Sequence, residues 1–179
     1  MIILMGLPGA GKGTQGKIMA DQHGMHLLSM GDIVRIYVTG ERRARMLSGE
    51  LLDDQEVIDL LDRLLDTVAN KDLCVIDGFP RTIPQAEWLL NKSHKEGFRI
   101  SHVINLEASE STVTNRLHAR GRLDDQDKVI EERFKKYREL TLPLYDWFLS
   151  HDIDVINIDA ERSVDEVNLE VTKRLDIFN

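Results

Sequence analysis

Hydrophobic positions along the chain fall into two alternating patterns. Short, near-continuous apolar runs, "MIILM" (1–5), "LCVID" (73–77), "HVINL" (102–106) and "IDVINI" (153–158), predict strands, and "HLLS" (26–29) predicts a weaker fifth. Runs apolar at successive residues fit parallel strands buried on both faces. Between them the apolar spacing becomes helical over 12–23, 55–69, 83–95, 109–119, 127–150 and 163–176. In "QEVIDLLDRLLDTV", Val57, Leu60, Leu61, Leu64, Leu65 and Val68 share one side of a helix. Ser163 followed by Glu166 predicts a capping box at the start of the last helix. The interval 30–53 lacks strand character and predicts a small helical insertion. Strand and helix in alternation predict an α/β fold with a parallel sheet and right-handed crossovers.

Composition narrows the class. A chain of 179 residues suits one domain with room for a small insertion. Its 31 Asp and Glu against 23 Lys and Arg give a formal charge of -8, which argues against general nucleic-acid binding but leaves room for a locally positive cleft. No apolar run approaches membrane-spanning length, and the opening "MIILMG" is too short and uncharged for a signal peptide. The single Cys74 leaves no internal disulfide and no Cys-rich zinc site, so a reducing cytoplasm is expected. The histidines are scattered, and His23 and His26 have no companion ligands.

The chemistry sits in three stretches. "GLPGAGKGTQ" (6–15) follows the first strand and opens a helix. Glycines there let the backbone curl so that amide N–H groups face a phosphate, the helix start adds positive potential, and Lys12 brings a mobile charge to β- and γ-phosphates. Gly13 stands where Ser or Thr commonly follows the lysine, and Thr14 carries the hydroxyl. In "VIDGFPRT", Asp77 ends a buried strand, which suits a water-mediated magnesium site, and Gly78 and Pro80 shape a turn that can aim Arg81 at a phosphate. "RLHARGRLDDQ" (116–126) gathers Arg116, Arg120 and Arg122 ahead of Asp124 and Asp125. Alone it reads either as a solvated helix end or as the passage of a small, highly charged anion.

Four segments in order carry a family likeness: the "GKGT" loop, "LLSMGDIVR" (27–35), "DGFPRTIPQA" (77–86), and "RGRLDDQ" with "ERF" (within 131–134). Together they resemble the nucleoside monophosphate kinases, the adenylate kinases most closely, over nearly the whole chain. The resemblance implies a P-loop kinase fold: a five-stranded parallel sheet flanked by helices, one kinase domain over 1–179 and a monophosphate-binding insertion over 30–59; the lid domain that family members carry is not expected here. It implies Mg-ATP and AMP as substrates, reversible phosphoryl transfer to give two ADP, Mg²⁺ and no zinc, no nucleic-acid or membrane partner, and a monomer by default, with a homo-oligomer as the alternative.

The same resemblance assigns residues. Gly9, Ala10, Gly11, Lys12, Gly13 and Thr14 would hold ATP phosphates, Arg116 would stack on the ATP adenine, and Arg120 and the loop at Arg162 would complete that site. Met30, Gly31, Arg35, Leu51, Leu52, Gly78, Arg81, Gln85, Arg122 and Arg133 would hold AMP. Lys12, Arg81, Arg120, Arg122 and Arg133 would act on the group in transit, Asp77 would hold Mg²⁺ through water with Thr14 as a further ligand, and Asp124 and Asp125 would orient the arginines. The acceptor is already an oxyanion, so positioning and charge neutralisation do most of the work.

Two positions depart from the family pattern. Met30 stands where adenylate kinases carry a Thr, so Gln85 argues for AMP while Met30 weakens strict base choice and fits core packing equally well. Only Gly121 separates Arg120 from Arg122, so 120–122 is a vestigial lid position. The alternatives are a UMP/CMP or broad-specificity kinase and a non-catalytic nucleotide-binding regulatory factor; the complete set of Lys12, Arg35, Arg81, Arg120, Arg122 and Arg133 speaks against the latter.

Overall fold

The sheet places the end of every strand on one rim. In the computed structural model, which describes residues 1–175, β1 (Ile2–Met5), β2 (His26–Ser29), β3 (Cys74–Asp77), β4 (His102–Glu107) and β5 (Val155–Asp159) are all parallel, in the order β2-β3-β1-β4-β5. Side chains alternate across the sheet, and both faces are covered. Ile3, Met5, Cys74, Ile76 and Val103 face one core; Ile2, Leu4, Val75, Ile104 and Leu106 face the other. Two buried faces explain why these strands read as unbroken apolar runs.

Helices fill the two layers. The first core takes Leu61 and Leu65 of α4 (Asp54–Asp66), Ala86 and Leu89 of α5 (Ile83–Glu96), and Leu144 and Phe148 of α8 (Leu144–Ser150). The six apolar positions expected on one side of the second long helix all join it. The second core takes Met19 of α1 (Lys12–His23), Val113 and Leu117 of α6 (Glu110–Arg120), Ile130 and Phe134 of α7 (Asp127–Lys136), and Val167 and Val171 of α9 (Val164–Arg174). The capping box of Ser163 and Glu166 is present at the start of α9; Asp176, the last residue of the expected helix, lies outside the described residues. Between β2 and α4, the expected helical segment consists of α2 (Met30–Tyr37) and α3 (Gly40–Leu47).

One element differs from the reading. The helix expected over 127–150 is broken: after α7 the chain widens into a π turn over Tyr137–Thr141, in which Leu142 N–H donates to Tyr137 O at 2.8 Å, and α8 starts afresh at Leu144. Pro143 is the cause, because it has no N–H for the ladder and its ring crowds the preceding turn. The apolar periodicity runs through the break and conceals it.

Candidate active site

The loops on the carboxyl rim enclose a cleft of about 1120 Å³, large for a single small ligand. Residues 6–14 leave β1 and enter α1. A Cβ on Gly6 would lie 2.5 Å from Leu106 O, and one on Gly9 would lie 2.8 Å from Val113 O, so the loop fits against β4 and α6 only as glycine. Gly11 then opens α1 with φ of 103°. Lys12 folds back over the loop, donating to Gly6 O at 2.7 Å and Leu7 O at 2.9 Å. Burial lowers its ammonium to about 8; Asp77 opposes the shift, while Arg81, Arg133 and Arg120 add to it.

Strand register brings Asp77 level with Leu4 of β1 and Ser29 of β2. A Cβ on Gly13 would stand 3.4 Å from Asp77 Oδ2, so the carboxylate adjoins the phosphate loop. No group of three or more His, Cys, Asp or Glu suited to a metal occurs among the described residues. A single carboxylate beside a phosphate loop fits a hydrated Mg²⁺ carried in by phosphates rather than an all-protein cage.

The arginines converge from α2, α6, α7 and two loops, and all but Arg81 are tied by three aspartates. Asp125 accepts Arg120 Nε at 3.0 Å and Nη2 at 2.7 Å, and also accepts the Arg122 backbone N–H at 3.0 Å. Asp124 accepts Arg35 Nη2 at 2.8 Å and Arg133 Nη1 at 3.2 Å. Asp32 lies 3.3 Å from Arg35 and 3.0 Å from Arg122. Both Asp124 and Asp125 are buried. Burial pushes their carboxyls up, but the hydrogen bonds and charges of Arg35 and Arg133 on Asp124, and of Arg120 with the Arg122 amide on Asp125, outweigh it and leave both below the ordinary carboxylate range. Burial also lowers Arg133 to about 10, with Asp124 opposing and neighbouring arginines assisting. Arg81 donates through Nε to Gly78 O at 2.9 Å, and Thr141 Oγ1 donates to the Arg81 carbonyl at 3.0 Å.

The two ends of the cleft differ in character. At one end Arg116 donates to Ala160 O at 2.8 Å, and Arg162 pairs with Glu170 while donating to Asp159 O at 3.1 Å. At the other lie Met46, Leu51, Leu52, Val57 and Gln85. Met30 lines the cleft yet is 1% exposed and belongs to the first core, so its side chain packs. Gln85, which reads from sequence alone as an exposed helix residue, is 2% exposed. Sequence reasoning did not single out Asp32 or Asp54; the only signal for Asp32 is its place in "SMGD". Every other residue expected at the site, from Gly9 through Thr14 to Gly31 and Gly78, lines this same cleft.

Comparison with known proteins gives one answer. A family model described as "Adenylate kinase" matches residues 4–153. The chain is 35% identical to an adenylate kinase of Synechococcus sp. (strain CC9902) over 181 residues, covering 98% of each. It is 36% identical to adenylate kinase 1 of a Nostoc species, covering 97% of each, and 33% identical to an adenylate kinase of Corynebacterium urealyticum, covering 93% of this chain and 94% of the relative. Such mutual coverage means that the likeness runs over nearly the whole of each chain.

Proposed function

The chain belongs to the adenylate kinase family, and from that premise we propose that it moves the γ-phosphoryl group of Mg-ATP to AMP, reversibly, giving two ADP. It is a phosphotransferase and a nucleoside monophosphate kinase; the acceptor, the metal and the residue roles are the proposal. The observation that carries it is the convergence of Lys12, Arg35, Arg81, Arg120, Arg122 and Arg133 on one cleft beside the phosphate loop.

The amides of residues 9–14 and Lys12 hold the donor phosphates, and Lys12 leaves its carbonyl partners to follow the group in transit. Arg116 and the loop at Arg162 flank the donor base. Residues 30–59 form the monophosphate-binding insertion, with Arg35 and Arg81 on the acceptor phosphate and Leu51, Leu52, Met30 and Gln85 around its base. Arg120, Arg122 and Arg133 offset the charge shared between donor and acceptor oxygens. Magnesium supplies charge neutralisation on the ATP phosphates; Asp77 would hold it through water, with Thr14 nearby. No helix among the described residues is long and apolar enough to cross a membrane, and with a lone Cys74 we place the protein in the cytoplasm. A coupled assay of ADP formation from ATP with AMP, GMP, CMP and UMP tests the reading: AMP should be the best acceptor, and no turnover with any monophosphate would overturn it.

A further inference from the structure

Gln85 lies in the first turn of α5 with its carboxamide held at both ends. Its Oε1 accepts the Arg81 backbone N–H at 2.8 Å, and its Nε2 donates to Asp54 Oδ1 at 2.7 Å. The same Asp54 oxygen accepts Thr82 Oγ1 at 2.9 Å. Both partners of the carboxamide have fixed polarity, because a backbone amide only donates and a carboxylate only accepts. Turning the amide over would set its NH₂ against the Arg81 N–H and its oxygen against the Asp54 oxygen. The orientation is therefore fixed from two sides. One N–H and one lone pair, in a set order, remain for whatever occupies the cleft that Gln85 lines.

That order selects a base edge. An exocyclic amino group beside an unprotonated ring nitrogen, as in adenine, offers a donor to Oε1 and an acceptor to Nε2. A 6-oxo purine with a protonated ring nitrogen reverses both, so oxygen meets oxygen and N–H meets N–H. We propose that Asp54 is a specificity-determining positioning residue: by fixing the Gln85 amide, it restricts the acceptor to bases with an amino group beside an unprotonated ring nitrogen. This rests on the acceptor reading above, which puts the monophosphate's base at the Leu51–Gln85 end of the cleft.

The test compares AMP with IMP, which differs only at this edge. The native enzyme should favour AMP over IMP in kcat/KM by at least about 100-fold, since reversed polarity leaves buried partners unpaired. Asp54→Asn keeps an oxygen for Thr82 and Gln85 in the present orientation and adds an NH₂ that can serve the turned-over one. Its AMP-to-IMP ratio should fall by about tenfold, chiefly through a lower KM for IMP, while KM for ATP, which Asp54 does not touch, holds. A purely structural Asp54 would weaken both acceptors alike, and an unchanged ratio would overturn the proposal. Should Asp54→Asn fail to fold, the native ratio decides: a value near one shows that the amide is not fixed. Turnover of no monophosphate at all would overturn the acceptor reading and this inference together, whereas AMP turnover with an unchanged ratio removes only the role of Asp54.

Discussion

Arg122 Nη2 stands 3.0 Å from Asp32 Oδ1, so the residue just past Gly121 is tied to α2, on the other side of the cleft. Arg35 repeats the tie in reverse, reaching from α2 to Asp124. Paired this way, the arginines are already gathered around the space where a phosphate would pass, and a ligand has little side-chain ordering left to impose.

The aspartates that gather them should make stability sensitive to acid. Asp124 and Asp125 have carboxyls held below the ordinary range by their arginines. Acids depressed in the folded state contribute stability that is present above their unfolded value and lost as pH falls through the folded one. Thermal unfolding scans should therefore show Tm falling once pH drops below about 4. Asp125→Asn should lower stability by about 2 kcal/mol at pH 7, because Arg120 loses the opposing charge and one of its two acceptors, and should flatten that acid limb.

Lys12 gives the opposite pH sign. Its ammonium is lowered from an ordinary 10.5 to about 8, chiefly by burial. Between those values the unfolded chain holds a proton that the folded chain does not, so folding stability rises with pH across that window. Function moves the other way, because the phosphates need the charged form. kcat/KM for ATP should fall above pH about 8 and, since bound phosphate favours the ammonium, kcat should fall later. Lys12→Ala should lower kcat by more than about tenfold, and near-native turnover would show that transfer occurs elsewhere.

What the sequence made legible follows from how local each signal is. α1 read from Lys12 to His23 because left-handed glycines, Gly11 and Gly24, punctuate both ends. The five strands read as apolar runs because both sheet faces are buried. The pairing of Asp125 with Arg120 and the Arg122 amide follows from their proximity in "RGRLDD", whereas Asp124 pairs with Arg35 and Arg133, 89 and 9 positions away. The contact of Asp54 with Gln85 joins positions 31 apart, on two helices whose packing no local pattern encodes. Nor does any local pattern say that a glutamine in a first helical turn is buried. Pro143 was the legible sign of a broken helix, outweighed by a periodicity that continues across it.

Base choice should divide along the same edge. Cytosine carries an amino group beside an unprotonated ring nitrogen, whereas uracil and guanine present oxo groups there. With Met30 packed in the core and offering no hydrogen bond, little besides size separates adenine from cytosine. Steady-state kinetics should rank CMP second to AMP, ahead of GMP and UMP. Gln85→Leu should compress that ranking, and Met30→Thr should lower stability by about 2 kcal/mol through the space it leaves.

The short link between α6 and α7 carries the last prediction. Gly121 ends α6 with φ of 67°, and α7 begins at Asp127. Residues 121–126 carry no helix or strand, and Leu123 is 72% exposed, so this stretch offers only a short loop to cover the proposed donor phosphates. A lid excludes water as it closes, and a loop this short should leave the γ-phosphate of bound ATP open to water. The expected result is a monomer that releases phosphate from ATP measurably without AMP, more slowly than it transfers phosphate to AMP. If a second copy covered the donor site instead, the mass in solution would double and the release would fall with rising protein concentration. Phosphate release without AMP, followed alongside mass over a concentration series, separates the two. A monomer with no detectable release would refute the open donor site, because water would then be excluded by the arginine network itself.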